Sequence, residues 1–397
     1  MNQNVDKLYQ IAERESRLIL GLMSGTSLDG LDIALCHIKG SGLTMNLSLL
    51  AFETLTYSPP FRDEIKSVFA QKEVNLEMLC AMNAKIGRAH ATLINKTLNK
   101  WNIPNEKVDL IASHGQTVFH APRGGRGDEY PNSTLQIGDG DHIAVLTGIT
   151  TLSDFRQKHI AAGGEGAPLV VYGDYMLFSS DEEDRVMLNI GGIANFTFLP
   201  GGRTTSGLIS TDVGPGNTLM NQYMRAYFHE PFDKDGKIAA SGKISKSLLQ
   251  ALLAHPFFKQ DLPKTTGPEL FNLDFVHRAQ KDSNTEELGH EDVMATLCAL
   301  TVAGISESIK ALSAEYDNIN VYVSGGGLNN PTLMRFLKKE LSEISIESTA
   351  VLGMPPDAKE AVLFAILANE AVSGLPVQFP ESVGAPAVSF GKISFPI

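Results

Sequence analysis

The sequence has little of several things that would settle its class at once. Its three cysteines, Cys36, Cys80 and Cys298, show no C-x-x-C spacing. That excludes a disulfide framework or a cysteine metal cluster and suits a reducing cytoplasm. No apolar run approaches the roughly 18 residues of a spanning helix, so no membrane segment is expected. The N-terminal "MNQNVDKLYQIAERES" is polar where a secretion signal would be apolar. Positive charge is also short: 33 Lys and Arg against 45 Asp and Glu leave a formal charge of -12, which argues against nucleic acid as a partner. What the 397 residues do have is length beyond one compact core, hence two domains, and 36 glycines gathered in short punctuated segments.

"LILGLMSGTSLDGLDIAL", Leu18 to Leu35, reads as strand, turn and strand, and "NLSLLAFETLTY" as a third strand. From Asn75 to Trp101, Leu79, Met82, Ile86, Ala89 and Leu93 recur at helical spacing. "VDLIASHGQTVFH" follows as a short buried strand ending at Ser113, then a loop. A second version of the theme starts near Arg185. "RVMLNIGGIANFTFLPGG" is strand, Gly-Gly turn, strand; "SGLISTDVGPGN" is a third strand, and "NTLMNQYMRAYF" a helix. "INVYVSGGGLNNPTLMRFL" then gives strand, triple glycine and helix. The halves repeat an arrangement without repeating letters. The boundary is expected near residue 150: a first domain of 1–148 completed by 370–397, and a second of 149–369.

Glycine lets backbone N–H groups turn toward an anion and clears side chains from its path. Ser24 to Ser27 can form such a cradle, with the hydroxyls of Thr26 and Ser27 as added donors. Asp29 and Asp32 suit a hydrated Mg2+; the alternative is an Asx-rich hairpin turn with solvated aspartates. A Walker loop needs GxxxxGK[ST] between strand and helix, which neither this turn nor "GKIAASGKIS" provides. "STDVGPGNTL" supplies a facing half: Asp212 ends a strand, Gly214 and Gly216 expose backbone, and Asn217 caps the next helix. Gly325, Gly326 and Gly327 form a third loop feeding a helix. Three such loops, each at a strand end, point to a phosphotransferase with a cleft rather than a binding module.

The letters around these loops resemble the anhydro-N-acetylmuramic acid kinases. The resemblance is carried by "MSGTSLDGLD", "HGQTVFHAP", "LQIGDG", "SDFR", "AAGGEGAPL", "LNIGGIAN", "DVGPGN", "GGGLNN" and "KEAVLFAILA", in the family's order across nearly the whole chain. It implies an α/β, two-domain actin-like ATPase fold of the ribonuclease H-like kind, with ATP, Mg2+ and a sugar in a central cleft. It implies hydrolytic opening of 1,6-anhydro-N-acetylmuramic acid with phosphorylation of O6, in cytoplasmic cell-wall recycling. By the family's pattern Gly25, Thr26, Ser27, Leu28, Asp29, Gly30, Leu31 and Asp32 are the ATP signature. Asp212, Gly214, Gly216, Asn217 and Gly325 to Gly327 join them, with Asp29 and Asp32 toward the metal. His114, Gln116, His120 and Glu360 fall on the sugar side. Asp139, Asp154 and Arg156 are sugar contacts or, equally, scaffold. Members are often homodimers, although no feature of this sequence marks an interface.

One segment departs from the pattern. The family runs D-F-R, two residues, Asp, one residue, A-x-G-G-Q-G-A-P-L, with that Asp as general base. Here "DFRQKHIAAGGEGAPL" puts His159 at the Asp position and Glu165 at the Gln position. His159 can activate water itself, since an imidazole of ordinary pKa is a competent base. Alternatively Glu165 supplies the carboxylate while His159 orients it. The same departure leaves open a kinase for another anhydrosugar, such as a levoglucosan-like substrate, or a weakly catalytic ATP-binding sugar sensor. His114, His120, His142 and His159 lack any metal-binding spacing, so no zinc site is expected.

Overall fold

The computed structural model describes residues 2–25, 28–121 and 130–397. β1 (Ser16–Ser24) is apolar and buried along almost all its length, the pattern of a strand covered on both faces. β2 (Gly30–Lys39) pairs with it antiparallel, from Ser16 opposite Lys39 to Met23 opposite Asp32, and β3 (Asn46–Thr56) continues the meander. β3 alternates exposed and half-buried residues because it lies at the sheet edge. The expected helix is Leu76–Lys100, with Asn75 accepting from the amide of Met78 as its N-cap.

β4 (Leu110–Ala121) lies parallel to β1 and does not stop at Ser113: it runs through "HGQTVFH" to pair with β5 (Ser133–Ile137). Gly115, at φ +76°, bends it midway, which is why the sequence reads there as a loop. β6 (Thr151–Ser153) and β12 (Lys392–Ser394) complete a seven-stranded sheet, ordered β12-β6-β4-β1-β2-β3 with β5 beside β4.

The second sheet contains β7 (Asp184–Ile190), β8 (Ile193–Leu199), β9 (Ile209–Pro215), β10 (Ile319–Ser324) and β11 (Ser345–Ser348), ordered β11-β10-β7-β8-β9. It repeats the run β6-β4-β1-β2-β3 strand for strand. In both, the first two strands form an antiparallel hairpin, the third extends it, and the fourth and fifth lie parallel beyond the first.

The chain divides into two units, residues 1–177 with 358–397, and residues 178–357. The expected boundaries assigned 149–177 and 358–369 to the second domain; contact places them in the first. β6 pairs with β4 there, and the helix Lys359–Ser373 packs so closely on β1 that a Cβ on Gly21 would strike the Ala361 carbonyl. Leu20, Leu22, Ile33, Ile86 and Ile111 lie in the first unit's core; Leu188, Phe196, Phe198, Leu297 and Ile305 lie in the second's. The helix His290–Leu312 is long and apolar enough to cross a membrane, yet most of it is buried inside its own unit.

Candidate active site

The β1–β2 turn is shaped from behind. Leu28, buried at φ 58°, and Leu31 tuck under it, and Gly30 backs onto the Leu55 carbonyl. Thr26 and Ser27 lie outside the described residues. Ser24, expected in the cradle, is buried with its hydroxyl against Tyr57 (2.9 Å) and Gln116 (2.7 Å). Gln116, expected on the sugar, is fully buried, and its Nε2 donates to the carbonyls of Gly25 and Thr117, each at 3.0 Å. The two aspartates differ. Asp29 is exposed and paired with Arg62 at 3.1 Å. Asp32 is half-buried, accepts from Thr54 Oγ1 at 2.6 Å, and its charge helps to raise the Glu360 pKa.

A second group of residues in this unit surrounds Arg156. Its Nε donates to His114 Nε2 at 2.9 Å and its Nη1 to the Gly166 carbonyl at 2.7 Å. His114 therefore carries its proton on Nδ1, which donates to the Gly115 carbonyl at 2.9 Å and reaches the Ser24 carbonyl at 3.3 Å. Its ring lies on Phe364, centroids 4.8 Å apart. Burial, then the Arg156 charge, pushes His114 down to about 3, so it serves as a neutral acceptor that aims the guanidinium. Desolvation lowers Arg156 to about 10, with Glu360 opposing. Glu360 is solvent-accessible, yet surrounding protein withholds enough water to raise its pKa, against the pull of Arg156 and Lys359. Arg156 and Glu360 lie near enough to feel each other's charge, and each can hold a polar ligand.

The departure from the family pattern lies in the last turn of the helix Phe155–Ala161, which holds His159, and in the loop after it, which holds Glu165. His159 is fully buried. Its Nδ1 accepts from the Gly166 amide at 2.9 Å, so the proton sits on Nε2, which has no hydrogen-bond partner. Desolvation, then Arg156, lowers it to about 4. Its one basic lone pair is already taken by the backbone. Glu165 is exposed in the same loop. Exposed His120 on β4 is lowered by desolvation and Arg156, while the Glu165 charge raises it.

Asp154 and Asp139 have scaffold contacts. Asp154, at φ 57°, is paired with Lys392; Asp139 caps the helix Gly140–Thr147 by accepting from Asp141 N at 2.9 Å. No group of three or more His, Cys, Asp or Glu able to hold a metal occurs among the described residues.

In the second unit the topological counterpart of the β1–β2 turn is Gly191–Gly192, between β7 and β8. The sequence shows this Gly-Gly turn but does not mark it as a nucleotide loop, which its place in a repeated hairpin would have done. The Gly216 and Thr218 amides donate to the Gly192 carbonyl at 2.8 and 3.0 Å, and the Asn217 amide to Gly191 at 2.8 Å. The Gly216 amide is thus not exposed for a ligand. Asn217 caps nothing with its side chain, whose Nδ2 donates to Ile190 and Gly191 carbonyls at 3.2 and 3.1 Å. A Cβ on Gly216 would strike the Gly191 carbonyl, so glycine permits this seam. Gly214 lies against Phe258. Asp212 accepts from the Thr266 amide at 2.8 Å and is raised to about 6 by desolvation. At the end of β10, Gly325 turns at φ +84°, Gly327 packs on Ile190, and Asn330 caps the helix Pro331–Glu340. The space above Gly192 and Gly326 is open. These open backbone faces fit nucleotide phosphates, and Asp32, bonded to Thr54, and Asp29, paired with Arg62, are carboxylates of the kind that orient a hydrated cation.

The duplicated sheet, with a glycine turn in each first hairpin and two opposed charges in one unit, defines a member of the actin/Hsp70-like ATPase class. A family described as anhydro-N-acetylmuramic acid kinase matches residues 17–396. The anhydro-N-acetylmuramic acid kinase of Pseudoalteromonas atlantica is 51% identical over 400 residues, covering all of both chains. Its namesake in Pseudoalteromonas translucida is 48% identical, again over the whole of both. That of Caldanaerobacter subterraneus is 40% identical, covering 98% of this chain and 100% of its own. The chain belongs to the anhydro-N-acetylmuramic acid kinase family.

Proposed function

We infer that the chain is an ATP-dependent kinase that opens 1,6-anhydro-N-acetylmuramic acid with water and phosphorylates O6, giving N-acetylmuramic acid 6-phosphate. The observation that carries this reading is the Arg156–His114 hydrogen bond with Glu360 nearby, drawn from three family segments, the guanidinium being aimed by a neutral imidazole. In this reading the sugar is held by Arg156 and Glu360, both of the first unit. The turns at Gly25–Asp32, Gly191–Gly192 and Gly325–Gly327 hold the nucleotide, with Asp32 toward Mg2+. ATP supplies the phosphoryl group and Mg2+ neutralises charge that develops on it.

Glu165 is the general base. It is exposed in the loop, whereas His159 is buried, neutral and already accepting from Gly166. Glu165 takes a proton from water as the water oxygen bonds to the anomeric carbon; the C1–O6 bond breaks, and O6 bonds to the γ-phosphorus as its bond to the departing ADP oxygen breaks. His159 shapes the loop that presents Glu165. The reaction belongs to peptidoglycan recycling in the cytoplasm, where three free cysteines stay reduced.

The test incubates the protein with ATP, Mg2+ and the anhydro sugar and reads product mass. A gain of one water and one HPO3 unit supports the assignment. ATP turnover only with a levoglucosan-like sugar would reassign the substrate.

A further inference from the structure

Behind the β1–β2 turn lies a buried polar chain with no part in the chemistry above. Ser24, Tyr57, His90 and Gln116 are all at most 4% exposed. Valence fixes the direction of their hydrogen bonds. Gln116 Nε2 donates to two carbonyls, so its Oε1 must face Ser24 and accept from that hydroxyl at 2.7 Å. With its proton committed, Ser24 Oγ accepts from the Tyr57 phenol at 2.9 Å. The phenol oxygen then accepts from His90 Nε2–H at 2.8 Å. His90 is left with a bare Nδ1, the atom that has no partner. Burial lowers His90 to about 4, which keeps that nitrogen unprotonated at neutral pH.

The chain ends on the two feet of the turn. At one, Gln116 holds the Gly25 carbonyl at 3.0 Å. At the other, the Tyr57 backbone amide donates to the Asp29 carbonyl, also at 3.0 Å. Tyr57 thus reaches one foot through its phenol and the other through its own N–H. Ser24 Oγ also reaches the Gly30 carbonyl at 3.1 Å, a second acceptor on the turn itself, and a buried network satisfied in this way is stiff in a low-dielectric interior.

We propose that Tyr57 and His90 are positioning residues for nucleotide binding, holding the feet of the Gly25–Asp29 turn at the spacing that receives phosphates. This rests on the reading of that turn as a nucleotide loop, so the test reads nucleotide affinity apart from turnover. ATP and ADP binding are measured by calorimetry, with KM for ATP and for the sugar, in wild type and in Tyr57→Phe, His90→Phe and His90→Gln. Losing a buried hydrogen bond predicts that Tyr57→Phe and His90→Phe weaken nucleotide binding about tenfold while the sugar KM stays within about twofold. His90→Gln keeps an N–H donor toward Tyr57 and is expected near wild type. A lower melting temperature with unchanged nucleotide affinity overturns the proposal and leaves a merely structural network. A wild type that binds nucleotide but leaves the anhydro sugar untouched would sink the substrate assignment alone. A wild type that binds no nucleotide overturns the nucleotide-loop reading and this proposal with it.

Discussion

Glu165→Gln and His159→Asn separate the two candidates for the water-activating base. Gln fills the Glu165 volume at an exposed position, so stability should stay within about 0.5 kcal/mol. Loss of a general base, by contrast, slows turnover about 10²–10⁴-fold, or roughly 3–5 kcal/mol of barrier. Asn at 159 places Oδ1 near the present Nδ1, so the Gly166 amide keeps an acceptor now 2.9 Å away. The missing ring atoms leave a small gap beside Tyr172, whose centroid is 6.1 Å from the imidazole's. Stability should fall by about 1–2 kcal/mol. Turnover should fall by less than about tenfold, because loop position rather than a proton acceptor has been disturbed. The assay is ADP release at saturating ATP, Mg2+ and anhydro sugar, with product mass and thermal melting for each variant. The reasoning fails if Glu165→Gln keeps turnover within threefold, a bound about one and a half decades below the range for a lost base. It fails equally if His159→Asn, still folded, loses a hundredfold or more, the lower limit of that range.

Arg156→Met removes the donor to His114 and Gly166 and the charge facing Glu360. The sugar KM should rise about 10–100-fold with ATP KM little changed, read by steady-state kinetics. Asp32→Asn should raise the Mg2+ concentration for half-maximal activity about tenfold; Asp29→Asn, losing an exposed pair with Arg62, should hardly move it. His90 also predicts a stability change with pH. Its folded pKa, about 4, lies below the unfolded value of about 6.5. Its contribution is therefore full above pH ~6.5 and lost as the pH falls toward 4, where the unfolded chain takes up the proton. Denaturant titrations across that window should show wild type losing on the order of 3 kcal/mol relative to His90→Gln. Parallel curves would contradict the burial argument.

The hairpins, the long helix and the duplication were legible because their signals are local: alternation, glycine turns and helical spacing. β4 was cut short because Gly115 reads as a loop, while its continuation is fixed by β5, a distant stretch of chain. The domain edges were misplaced for the same kind of reason. β6 and β12 are three-residue strands that show no periodicity, and their membership follows only from pairing, as of Leu152 with Ile393. Within the site, the family motifs bring Arg156 and Glu360 to attention, but motif letters do not say which way a side chain faces. His114, Gln116 and His159 look like ligands in a list of polar residues. On a strand buried on both faces, and in a loop closed over an imidazole, they are used by the protein itself.

The two units also explain how a repeated fold can lack a repeated sequence. Both contain a hairpin turn that must be held against thermal motion, and each holds it by different means. In the first unit side chains do so: Gln116, Ser24, Tyr57 and His90 reach the turn from two strands and a helix. In the second, backbone does most of it: amides of Gly216, Asn217 and Thr218 grip the carbonyls of Gly191 and Gly192, with one side chain, Asn217, adding to the hold. A side-chain clamp requires particular residue types at scattered positions. A backbone clamp requires only that a glycine let two loops approach, as Gly216 does. The same mechanical demand therefore leaves polar letters in one half and glycines in the other. It follows that Gly216→Ala should damage the second turn as Tyr57→Phe damages the first, by displacing a carbonyl rather than by stranding the His90 N–H. The alanine should cost more stability, because the atom it meets is backbone and cannot rotate away.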